Sequence, residues 1–170
     1  MPYCDYKRFQ GIYQICANCC IPASIENVVR YLGGKFSQRK FLDDFLGKYH
    51  MNDLSFENIK KFLDNYSTFN IYFKCECKTK KEHIDKDNLL VYIKECLKED
   101  LPVMIVLKES ENNKEYIHIV TVYYLEDNNI SYFDSNPTNG GFVEFIDKNN
   151  FINKVSDNLG TLILRKRNRE

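Results

Sequence analysis

The 170-residue chain has no tryptophan, only three histidines and no net charge, with 24 Lys and Arg set against 24 Asp and Glu. Each scarcity excludes something. Balanced charge argues against a nucleic-acid or anionic-membrane surface, because both partners need a basic field. The terminal RKRNRE is basic, but it follows the last apolar run and lacks aromatics for stacking, so it reads as a solvated end. No apolar stretch approaches the length of a bilayer span, and MPYCDYKRFQ carries charges where a signal peptide needs its apolar region. A soluble, cytoplasmic protein without a membrane partner is therefore expected, delivery into another cell remaining open. No repeat, Pro- or Ser-rich linker or low-complexity run divides the chain, which predicts one domain over 1–170. Seven cysteines, an odd number with one adjacent pair, do not suggest a secreted disulfide framework and point to a reducing compartment.

What is present concentrates between Gln14 and Gly34, QICANCCIPASIENVVRYLGG. Ile25, Val28, Val29 and Leu32 recur at the spacing of one helical face, which predicts a helix clamped on a core. Cys20 stands at its start. Pro22 suits a first turn because the amides there have no intrahelical acceptor, and Gly33-Gly34 suits the stop. A thiolate rather than a thiol attacks carbonyls, and the positive end of a helix favours that anion. Cys20 is thus a candidate nucleophile, and Gln14, six residues earlier, is placed to aim its amide at an oxyanion. Cys19, its neighbour, would turn about 100° away around a helix that held both.

A nucleophile of this kind needs a base. Of His50, His83 and His118, only His118 falls in a β-branched and aromatic run, IHIVTVYY, followed by the turn EDNN and the strand ISYFD ending at Asp134. The hairpin brings Asp134 back toward His118, where a carboxylate can fix the imidazole tautomer. Register decides whether the two meet. A turn on Asn128-Asn129 leaves Asp134 several residues away unless a bulge shifts the pairing. Asn136 is the alternative orienting residue. His50 and His83 sit in charged, loop-like contexts and are expected at the surface.

The order of glutamine, cysteine at a helix start, histidine on a strand and acidic residue resembles the papain-like cysteine peptidases. CIPASIENVVRYLG from Cys20 to Gly33 is similar to the C-G-P-A-A-L pattern of the bacteriocin-processing double-glycine peptidase branch and its stand-alone relatives, as is LPVMIVLK before the histidine strand. Ile21 replaces the usual glycine, DSNP replaces the tighter D-P, and the polar ESENNKE precedes the histidine strand. The resemblance implies Cys20 as nucleophile, His118 as base, Asp134 as orienting residue and Gln14 as oxyanion donor. It also implies hydrolysis of a peptide or amide bond in a peptide or protein substrate. Acyl transfer or deamidation on the same scaffold, or a catalytically silent peptide-binding module, are the alternatives.

The remaining pattern is helical first and strand-rich second, an α+β plan with an N-terminal helical part on a C-terminal antiparallel sheet, as the papain-like fold requires. Ser37 and Ser55 are expected to cap helices at Phe41–Leu46 and 56–66, with another helix over 87–97. Strands are expected at 70–75, 103–107, 142–145 and 161–164, and a short helix near 148–155. Cys16-x-x-Cys19 and Cys75-x-Cys77 could supply four zinc ligands, but one pair abuts the nucleophile helix and the other lies in an alternating strand. No metal and no cofactor is expected. Cys4 and Cys96 are expected to pack as small apolar groups, and the 12 Phe and 12 Tyr to fill the core and line a cleft.

Overall fold

Helix α1 (Cys20–Tyr31) begins where the cysteine pair ends and stops on a glycine, because the chain must turn there with φ of +84° at Gly33. Gly33 N–H donates to Arg30 O and Gly34 N–H to Val29 O, which satisfies the last carbonyls in a Schellman arrangement. The computed structural model describes residue 4 and residues 8–65, 73–78, 86–138, 140–156 and 160–166. Within these, α1 is followed by α2 (Gln38–Leu46), α3 (Phe56–Asp64), β1 (Phe73–Lys78), α4 (Lys86–Lys98), β2 (Val103–Glu111), β3 (Lys114–Glu126), β4 (Asn129–Asp134), β5 (Gly141–Asp147), α5 (Lys148–Lys154) and β6 (Thr161–Lys166). Ser37 and Ser55 cap α2 and α3, their hydroxyls accepting from Lys40 N–H and Asn58 N–H. Both helices reach the expected residues to within a turn. The expected strand at 70–75 overlaps β1 at residues 73–75, and its first three residues lie outside the described residues.

The six strands form one antiparallel sheet in the order β1-β6-β2-β3-β4-β5, so the architecture is α+β. Its centre is covered on both faces. Val103–Leu107 of β2 and residues 118–123 of β3 are buried at consecutive positions rather than alternate ones. The polar ESENNKE is the tip of the β2–β3 hairpin, turned by Asn112 and Asn113 in the left-handed region that asparagine tolerates, and it projects beyond the core. His118 is the first buried residue of β3 after that tip.

Helices α2 and α3 join through stacked and edge-on rings of Phe41, Phe45 and Phe62. A second aromatic group, Phe9, Phe133 and Phe142, underlies the segment entering α1. Gly11 crosses it at φ +64°, where a Cβ would lie 2.9 Å from the Phe142 ring, so only glycine passes this close. Helix α1 is buried more completely than one amphipathic face predicts, since Ser24, Glu26 and Asn27 are buried as well. Glu26 pairs with Arg30 one turn later, and Asn27 has the role described below.

Candidate active site

The adjacent cysteines separate at the start of α1. Cys19 is the N-cap residue, 0% exposed, and is joined to Cys16 by a disulfide. Cys20, the first helical residue, is free and partly exposed on a cleft of about 520 Å³. The sequence reading set aside a secreted disulfide framework and weighed Cys16 and Cys19 only as half of a weak zinc site, so it did not foresee this local bond. It closes a loop of local residues rather than a framework, so cysteine parity could not reveal it. Cys75 is buried and Cys77 half-buried on β1, and among the described residues no cluster of His, Cys, Asp and Glu is arranged for a metal.

Across the cleft, His118 Nε2 lies 2.5 Å from Asp134 Oδ1. Cys20 lines the same cleft, and with Nε2 engaged by Asp134 the other ring nitrogen, Nδ1, is left for a second partner. Burial works against the imidazolium, but the hydrogen bonds to Asp134 and Cys20, with the charges behind them, outweigh it and push the His118 pKa up to about 9.

A bulge makes this meeting possible. From the turn, β3 and β4 pair Glu126 with Asn129, Leu125 with Ile130 and Tyr124 with Ser131. Continued unchanged, this register would set Asp134 opposite Thr121, on the face away from His118. Tyr123 is the extra residue. Beyond it Val120 opposes Asp134, and because strand faces alternate, Asp134 then shares a face with His118 two residues along. Asn136 also borders the cleft, but its N–H donates to Asp134 Oδ1 at 2.9 Å and its own Oδ1 accepts from Thr138 N–H. Its backbone N–H thus shares Asp134 Oδ1 with the imidazole.

Gln14 lies on the same cleft, on a segment with no regular secondary structure whose backbone is nevertheless held. Asn27, 1% exposed on α1, accepts from Ile12 N–H at 2.7 Å and donates to Ile12 O at 2.8 Å. Gln38 on α2 donates to Tyr13 O at 2.9 Å and accepts from Ile15 N–H at 3.2 Å. Ser135 O accepts from Gln14 N–H at 2.9 Å, and Ser135 Oγ donates to Gln14 Oε1 at 3.2 Å. Gln14 Nε2 donates to Cys16 O at 3.1 Å and Ala17 O at 3.2 Å. Sequence reasoning missed Asn27, Gln38 and Ser135, whose only signal is a polar residue at a position the helix or loop buries. Asn27→Ala removes the side chain that pairs with the Ile12 N–H and C=O, and should lower the unfolding free energy by about 1–3 kcal/mol in urea titration. A loss within error would mean that the Ile12 anchor is not needed.

The other candidates lie apart. His50 is exposed and caps a short 3-10 turn at Met51–Asp53, and His83 lies outside the described residues. Cys4 and Cys96 are buried, and burial is the main cause raising both thiols, Cys4 to about 12. Such thiols are held in the neutral form and pack as apolar groups.

A free cysteine at the head of a buried helix, facing a histidine and a carboxylate on an antiparallel sheet across a cleft, defines the papain-like cysteine peptidase scaffold. The chain belongs to the Peptidase_C39 like family, whose model matches residues 6–160. No curated protein matches the chain. No helix among the described residues is long and apolar enough to cross a membrane.

Proposed function

We propose that this protein is a cysteine peptidase that hydrolyses a peptide or amide bond of a peptide or protein substrate through Cys20, His118, Asp134 and Gln14. The observation that carries the reading is the pairing of His118 with Asp134 on the same cleft wall that Cys20 lines. His118 Nδ1 takes the Cys20 proton while Nε2–H stays on Asp134, which holds the ring in one orientation as the imidazolium forms. The thiolate attacks the carbonyl carbon. Negative charge moves to the carbonyl oxygen, where the Cys20 backbone N–H and one Gln14 N–H receive it, the substrate oxygen replacing a loop carbonyl as the acceptor of Gln14. The imidazolium then returns its proton to the leaving amine, and a thioester remains on Cys20. Water, deprotonated by His118, cleaves the thioester and restores the thiol. A single domain over 1–170 would carry all of this.

Gln14→Ala is expected to lower kcat by about 10²–10³-fold at nearly unchanged KM, since the donor is needed only once the oxyanion forms. Steady-state kinetics on a peptide selected from a cleavage library, beside a far-ultraviolet circular dichroism spectrum to confirm folding, make the test. Unchanged turnover removes Gln14 from the mechanism.

A further inference from the structure

The loop before α1 carries chemistry that the peptidase mechanism does not use. Cys16 and Cys19 are disulfide-bonded with Cα atoms 5.2 Å apart, an ordinary span for such a bridge, and Cys19 N–H donates to Cys16 O at 3.2 Å, so the backbone closes the same ring. The two sulfurs are unequally placed. Cys16 is an exposed residue, whereas Cys19 is 0% exposed at the N-cap of α1. An incoming thiolate therefore reaches Cys16, and the displaced Cys19 thiolate departs at the positive end of a helix, which stabilises a leaving anion. The intervening Ala17 and Asn18 line the cleft, and Gln14 donates to carbonyls of the same ring. The ring is thus a wall of the cleft.

We propose that Cys16 and Cys19 form a second reactive site, a reversible disulfide that exchanges with low-molecular-weight thiols through Cys16. In the reductive direction a thiolate RS⁻ attacks Cys16 Sγ, the bond to Cys19 breaks, and its electron pair leaves on Cys19, which takes a proton from water. A mixed disulfide between R and Cys16 remains. A second thiolate attacks the sulfur of R, forming RSSR and releasing Cys16 as a thiolate that is protonated in turn. Two thiols are oxidised to one disulfide and the protein disulfide is reduced by two electrons. The reverse sequence, driven by RSSR, closes the ring. Neither step involves Cys20, so the proposal goes beyond the peptidase reading and does not depend on it.

Glutathione, reduced and oxidised, is the probe. The full chain is equilibrated in buffers from fully reducing to fully oxidising, quenched with acid, alkylated after denaturation and mapped by mass spectrometry. Cys16 and Cys19 are expected to pass together from alkylated to protected as the buffer becomes oxidising. In a Cys20→Ala background, Cys19→Ser should accumulate a glutathione adduct on Cys16, and Cys16→Ser should leave native Cys19 unmodified. The titration of the unaltered chain requires no variant, so a misfolded Cys19→Ser protein does not decide the outcome. Failure of Cys16 and Cys19 to change across the buffers, or an adduct on Cys19 in place of Cys16, overturns the proposal. Neither readout uses peptidase activity.

Discussion

Replacing Cys20 with alanine is expected to abolish turnover, a loss of about 10⁶-fold by comparison with removal of a protease nucleophile, and to remove the thiol that iodoacetamide labels rapidly near neutral pH. No other free cysteine among the described residues stands on this cleft beside His118. Cys19→Ala should keep rapid labelling at Cys20, at the cost of the bond to Cys16 and of packing at a fully buried position. Label positions assigned by fragment masses separate Cys20 from the Cys16 thiol that Cys19→Ala liberates. Rapid labelling that survives at this helix start in Cys20→Ala, with no loss of turnover, would transfer the nucleophile elsewhere and sink the peptidase mechanism.

Activity is expected to fall on the alkaline side around pH 9, as the His118 imidazolium, raised to about 9, loses its proton and the charged pair with the thiolate disappears. Asp134→Ala removes one of the hydrogen bonds that raise it. The alkaline limb should then move down toward the ordinary imidazole value of about 6.5, with turnover lower by about 10²–10⁴-fold. Asn136→Ala should shift the limb little, because its contact with the carboxylate is through its backbone N–H. Stability carries the same sign. A folded-state pKa above the unfolded value contributes stability that is fully present below about pH 6.5 and is lost as pH rises through about 9. Urea unfolding of the native chain and of His118→Gln at several pH values measures it. An alkaline limb that stays in place in Asp134→Ala, or that moves in Asn136→Ala, would give the orienting role to Asn136.

How much of this was legible before the fold depended on the range of the signal. The start and stop of α1 were readable because Pro22, the apolar spacing and Gly33-Gly34 act within a few residues of one another. The choice of His118 over His50 and His83 was readable because only His118 sits in a strand-forming run. The ESENNKE segment looked like an insertion and is a hairpin tip, since two consecutive asparagines in the left-handed region let β2 and β3 continue past the core. Whether His118 and Asp134 would share a face was not readable. Parity in a strand pair hangs on one extra residue, and nothing local marks Tyr123 rather than a neighbour as that residue.

Sequence by itself determined the α+β class, the helix that presents Cys20 and the resemblance to the family to which the chain belongs. These rest on periodicity, capping and motif spacing, all of which are short-range properties of the chain. Tertiary structure decided which side chains meet. It placed Cys20 rather than Cys19 on the cleft, flipped Asp134 onto the face of His118, and bonded Cys16 to Cys19. It also buried Asn27, Gln38 and Ser135 where they hold the segment that carries Gln14. The reason is physical: a buried polar group must find a partner wherever the packed chain provides one, and that partner is chosen by the three-dimensional path of the backbone, which no local pattern encodes.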